Sequence, residues 1–178
     1  MAELIIEKDG FNRIMTSLPS FVSAHDRRKA LNHIKLEHKA GTGSVTAVAL
    51  DGFMLCKLEV PAMGNEDFDV VIPVCARTQA KSVKITLDGD KLIFDHENLY
   101  QIIYNKIEGQ YFDWRQIMPA DNNQYSITVN PRYLAKALKS VPKDARSVTF
   151  RFGSPMSPIL IEDNKDTQML VLPIRASQ

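Results

Sequence analysis

Residues 125–142, YSITVNPRYLAKALKSVP, are the stretch from which the fold is read. Alternation through 125–129 predicts a strand. Asn130 followed by Pro131 marks a helix start, because the asparagine side chain accepts an orphan amide hydrogen and proline lacks one while already holding a helical φ. Tyr133, Leu134, Ala137, Leu138 and Val141 then form an apolar stripe that Pro142 closes. Val148, Phe150 and Phe152 alternate, and further strands are expected at 158–162 and 168–174. The order is strand, helix and three strands, a βαβββ unit.

Upstream, the same order occurs twice. Residues 2–8 read as a strand, Asp9 as a helix N-cap, and Phe11, Ile14, Met15 and Leu18 as one helical face ended by Pro19. Strand-like runs at 31–38, 44–50 and 53–60 follow, separated by glycine-bearing turns at 40–43 and at Asp51-Gly52. The second copy begins with a strand at 69–73. A short helix is expected over 74–81, then strands through 83–87, 92–94 and 99–107. A connecting segment over 108–123 carries the sole tryptophan, Trp114. Three such units predict an α+β architecture with helices on one face and antiparallel sheets on the other. The expected boundaries are 1–119 for a domain of two units (roughly 1–64 and 65–119), and 120–178 for a half domain of one.

The composition fits a globular chain. Of 178 residues, 44% are hydrophobic and 24% charged, which excludes disordered and collagen-like classes. No apolar run approaches the roughly 18 residues that span a bilayer, and the N-terminal stretch lacks the pattern of a signal peptide. No membrane association is therefore expected. Cys56 and Cys75 have neither disulfide-framework nor metal-ligand spacing, and are expected as buried free thiols of a reducing cytoplasm.

A formal charge of +1 hides an uneven distribution. Residues 120–178 hold eight Lys and Arg against five Asp and Glu, a net of +3, which leaves −2 for the remainder. Arg132, Lys136, Lys139 and Lys143 occur with no acid between 130 and 143. Arg77 and Lys81 mark the expected second helix, and His25, Arg27 and Arg28 follow the first. A basic flank on one helix is usually a solvated face. The same bias in three equivalent places of a repeat points to phosphate contact without base reading, and these nine residues are the candidate DNA-binding set. No aromatic ladder suited to stacking single strands accompanies them, so duplex is the expected form.

Catalytic signatures are lacking. There is no phosphate-binding glycine loop, no nucleophile elbow and no shared ligand spacing among His25, His33, His38 and His96. The sequence reads as a binding protein rather than an enzyme, with no catalytic residue, metal or cofactor expected.

Several strings resemble one family in order along the chain. Residues 28–33 (RKALNH) and 49–55 (ALDGFML) are similar to the R-x-x-L-N-G and A-T-D-G-H-R-L strings in the middle domain of the bacterial DNA sliding clamp, the beta subunit of DNA polymerase III. Residues 107–119 (IEGQYFDWRQIMP) resemble the segment that leaves that domain. Residues 129–134 (VNPRYL), 153–158 (GSPMSP) and 170–175 (LVLPIR) resemble the last half-domain. The resemblance covers the middle domain and the second half of the last one: three units, where the family has six per chain and twelve in its ring.

This resemblance implies a non-enzymatic, cytoplasmic replication protein of the DNA-clamp fold. Its implied partners are duplex DNA, peptide motifs of polymerases or repair factors, a clamp loader, and further copies of itself. It also implies a peptide pocket carried by Leu31, Leu50, Gly52, Phe53, Met54 and Leu55, by Gln116 and Ile117, and by Leu170, Val171, Leu172, Pro173, Ile174 and Arg175. Phe53 and Met54 stand where the family has His and Arg, and Phe112 where it has Pro, so a more apolar pocket is expected. Leu31, Leu55 and Val171 would serve equally as ordinary core. The alternative function is an adaptor or decoy that binds the same peptides without encircling or holding DNA.

Overall fold

In the computed structural model, residues 1–23, 27–119, 126–163 and 167–174 are described. They fall into two compact units, Met1–Trp114 and Arg115–Gln178. His25 and Arg175 of the candidate sets, and Tyr125 at the start of the third expected strand, lie outside the described residues.

The first unit opens with β1 (Ala2–Glu7) and α1 (Lys8–Ser17), followed by β2 (Ile34–His38), β3 (Ser44–Leu50) and β4 (Leu55–Gly64). The second copy supplies β5 (Phe68–Ile72), β6 (Ser82–Asp88), β7 (Lys91–His96) and β8 (Tyr100–Asn105). All eight strands share one sheet in the order β5-β2-β3-β4-β1-β6-β7-β8. The two copies exchange their first strands. β1 lies antiparallel to β6, from Ala2 opposite Leu87 to Glu7 opposite Ser82, and β5 lies antiparallel to β2, from Ile34 opposite Ile72 to His38 opposite Phe68. Each copy therefore closes the sheet of the other.

Alternation along β1 puts Leu4 and Ile6 into the core, where α1 covers them with Phe11, Ile14, Met15 and Leu18. Gly10 lets the helix approach closely, since a Cβ there would stand 3.2 Å from Ile6 Cγ2 and 3.3 Å from Val60 Cβ. The helix starts two residues earlier than the Asp9 cap expected from sequence implies. Glu7 occupies the cap with extended backbone and no side-chain bond, and the Lys8 amide is satisfied by Lys81 O at 2.8 Å. Asp9 sits in the first turn, where its charge suits the helix dipole. Residues 29–32 form a 3-10 turn, so the strand expected from 31 begins at Ile34.

The helix expected over 74–81 does not form. After Pro73 the chain is an irregular strap bonded to α1, and its peptide groups bond to side chains instead of to the next turn. Asn12 Nδ2 donates to Thr78 O at 3.0 Å, and Thr78 N donates to Asn12 Oδ1 at 2.7 Å. The Cys75 amide meets Met15 Sδ at 3.4 Å, and the Ala80 amide meets Thr78 Oγ1 at 3.0 Å. Thr78 Oγ1 also reaches His96 Nδ1 at 2.9 Å. Burial, partly offset by the Asp95 charge, holds the His96 imidazole below its ordinary pKa, so the folded state loses stability as pH falls below that ordinary value. Cys56 and Cys75 are free and half-buried beside the core rather than fully buried, and burial pushes both thiols up.

A second apolar cluster joins Ala30, Leu31, Val48, Leu50 and Val71 to Tyr111 and Trp114. The segment read as a passive connector thus returns to cover the sheet. Tyr111 Oη donates to Val48 O at 3.1 Å, and burial pushes its hydroxyl pKa up to about 12. Trp114 Nε1 donates to Glu37 Oε1 at 3.4 Å, with Lys57 Nζ 5.6 Å from its ring centroid.

In the second unit, Asn130 caps α2 (Pro131–Lys139) as the sequence requires, accepting from Arg132 N at 2.9 Å. β9 (Val148–Arg151), β10 (Ile159–Asp163) and β11 (Gln168–Val171) form a sheet in the order β11-β10-β9. The expected strand over 125–129 appears as a bridge from Val129 to Pro173, with Ile174 N donating to Thr128 O at 2.8 Å. Ile159, Ile161 and Val171 are buried, with Leu134 and Ala137 packed against them, but no residue of α2 is itself buried.

Candidate functional site

The candidate residues fall on both units. On the first, β3 and β4 meet in a loop built by Asp51. Its carboxylate accepts from Phe53 N and Met54 N, both at 2.8 Å, and Gly52 supplies a φ of 93°. Those amide hydrogens hold the Asp51 carboxyl below its ordinary pKa. The loop is thereby pinned in a shape that places Phe53 in solvent at 97% exposure and Met54 at 50%. Leu31 and Leu50 are instead core of the second apolar cluster, and Leu55 packs half-buried against it. Burial places these three in the scaffold behind the loop and off its surface.

On the second unit, a hollow of about 320 Å³ opens between α2 and β11. Tyr133, Lys136, Ala137 and Ser140 line it from the helix, and Met169, Leu170 and Val171 from the strand. Leu170, Leu172 and Ile174 are exposed at 60%, 63% and 47%, while Val171 is core. Pro173 is held by its bridge to Val129, and Gln116 and Ile117 are exposed. Sequence reasoning missed Tyr133, Ala137, Ser140 and Met169 as lining residues and assigned Lys136 to DNA alone. Tyr133 was legible as the first member of the stripe, and Met169 as the alternate of Leu170 along a strand.

The candidate DNA-binding side chains divide differently. Arg132, Lys136, Lys139 and Lys143 are exposed, and Lys136 and Lys139 occupy the last turn of α2, where positive charge also suits the helix dipole. Lys136 in addition lines the hollow. Arg77 and Lys81 are exposed but stand on the irregular strap, so their spacing of four residues does not place them on one helical face. Arg27 and Arg28 lie in the exposed stretch before the 3-10 turn. The basic bias is therefore carried by one helix and by irregular segments, not by three helices. Among the described residues, no group of three His, Cys, Asp or Glu side chains is placed to hold a metal ion, and no helix is long and apolar enough to cross a membrane.

Neither a protein-family model nor a curated protein sequence matches the chain. Solved structures do. The beta subunit of DNA polymerase III from Thermotoga maritima aligns over 99% of this chain and 66% of its own, with TM-score 0.60 and 14% identity. The C. crescentus beta sliding clamp, in a structure with polyethylene glycol at a putative beta-motif tethering region, aligns over 98% and 66%, with TM-score 0.66 and 17% identity. DNA polymerase III subunit beta from Borrelia burgdorferi, in complex with a natural product, aligns over 98% and 49%, with TM-score 0.73 and 18% identity. The chain thus spans between half and two thirds of the length of these structures. Across both units, its fold is that of the bacterial DNA polymerase III beta sliding clamps.

Proposed function

We propose that this chain is a sliding-clamp-like replication protein of the cytoplasm, which associates with duplex DNA without reading sequence and docks short apolar peptides of polymerases or repair factors. The observation that carries this reading is the clamp fold along nearly the whole chain. In this reading, residues 1–119 act as a full clamp-type domain and 120–178 as half of one. Phe53 and Met54 on their anchored loop in the first unit, and, taken separately, Leu170, Leu172 and the α2/β11 hollow in the second, each offer apolar contacts to peptides. The exposed lysines of α2 supply phosphate contacts, and neither role requires a catalytic group. An adaptor that binds the peptides without holding DNA is the second reading. It is favoured by the strap at 74–81, which takes Arg77 and Lys81 off a helix.

Calorimetric titration with a short apolar clamp-binding peptide tests the docking. Saturable binding by the wild type is expected, with at least a tenfold loss in Met54→Ala/Leu172→Asp, since each side chain contributes about 1–3 kcal/mol when buried. A wild type that shows no saturable binding removes the docking role.

A further inference from the structure

In the first unit, two repeats complete each other, and within the second unit no described residue covers the matching surfaces of the third repeat. The equivalences follow from position. Counted from the helix start, Ile127 and Val129 correspond to Leu4 and Ile6, and Leu134, Ala137 and Leu138 to Phe11, Ile14 and Met15. Val148 and Phe150 face Asp163 and Ile161 of the next strand as Val83 and Ile85 of β6 face His96 and Phe94, and Val83 and Ile85 face the exchanged first strand as Ile34 and Leu36 of β2 do.

The exposures differ sharply at these matched places. Ile85 and Leu36 are both 0% exposed, whereas Phe150 is 42% exposed. Met15 is 6% exposed because the strap of the other repeat crosses it, with the Cys75 amide 3.4 Å from its sulfur, whereas Leu138 is 39% exposed. Phe11 meets His96 of the other repeat edge to face at 5.9 Å, and the third repeat supplies no such neighbour to Leu134. The strand edges agree. Among the described residues β9 is hydrogen-bonded to β10 alone, where its counterparts β6 and β2 each have a strand on both sides. Because Thr128 O is directed to Ile174 N, strand alternation turns the N–H and C=O of Ile127 and Val129 to the opposite edge.

We infer that this face is covered by the same face of a second copy of this chain. The two third repeats would exchange first strands about a two-fold axis, with Val129 opposite Val148 and Ile127 opposite Phe150 of the other chain. This is the register of Ile6 opposite Val83 and Leu4 opposite Ile85 in the first unit. The occupant must offer both a strand running into a helix and an open first edge of a three-stranded sheet. The third repeat has both, while in the first unit β1 and β6 are already paired with each other, as are β5 and β2. Residues 127–129 and 148–150 carry no charge that would oppose such pairing. The interface is isologous, so it closes at two chains. The pair would form a six-repeat body with a composite domain at its centre. The inference deepens the oligomerising clamp reading but takes its register from the first unit alone.

Sedimentation of the full chain is expected to give twice the 20.1 kDa chain mass, and Phe150→Glu and Leu138→Glu are each expected to halve it, with circular dichroism unchanged. Register is tested by cross-linking in a background with Cys56 and Cys75 replaced by alanine. Ile127→Cys chains mixed with Phe150→Cys chains should form a disulfide-linked pair under mild oxidation, and neither should do so alone. A wild type that sediments as one chain overturns the inference and leaves the face to a different protein. A dimer indifferent to both glutamates, or cysteines that cross-link only with their own kind, overturns it as well. Failure of DNA or peptide binding with the mixed cross-link intact would remove the proposed function and leave this pairing standing.

Discussion

Lys136→Glu/Lys139→Glu is expected to weaken duplex binding by roughly 10- to 100-fold at physiological salt and to lower the salt slope by about 2. Each lysine that meets a phosphate releases a condensed counterion, so removing two contacts changes both the affinity and its dependence on salt. The two side chains are exposed on the last turn of α2, which carries no acid. Reversal also places negative charge at the helix C-terminus, at a cost of about 0.3–1 kcal/mol per residue, so the fold must be checked alongside. Lys91→Glu/Lys106→Glu makes the same change in net charge on exposed residues at the β7/β8 edge, and should leave the slope near that of the wild type. Equal slopes for wild type and the α2 variant would take DNA off this helix and favour the adaptor reading.

Trp114→Ala is expected to destabilise the first unit by about 3–5 kcal/mol. The ring is 7% exposed and closes the cluster that contains Leu31 and Leu50, directly behind the Asp51 loop. Its loss would open a cavity against those two leucines and leave Lys57 without an aromatic face. Urea unfolding followed by circular dichroism, since the sole tryptophan is gone, reads the shift in midpoint. A change below about 1 kcal/mol would mean that the segment over 107–114 does not hold the sheet in solution.

The parts of this fold that were legible in the sequence are those fixed by local chemistry. Asn130-Pro131 announced α2, the Asp51-Gly52 turn announced the loop that presents Phe53, and alternation marked the strands. The expectation at 74–81 failed because its satisfying partner is remote: Asn12 lies 66 residues from Thr78, and no local pattern reveals that a side chain will take the place of the next turn. Trp114 was read as part of a linker for the same reason, since its neighbours Leu31, Val48 and Val71 are brought to it only by the sheet. Among the candidate pocket residues, periodicity alone could not separate scaffold from surface. Leu50 and Val171 prove to be core, while Leu170 and Leu172, on either side of Val171, are exposed.

The central claim is that a clamp fold of this size assembles and holds duplex DNA. Sedimentation of the wild-type chain alone, and with duplexes of unrelated sequence at low and raised salt, tests it most directly. The expected result is a multiple of 20.1 kDa that co-sediments equally with every duplex and releases as salt rises. A single chain that leaves all duplexes unshifted at low salt would contradict it.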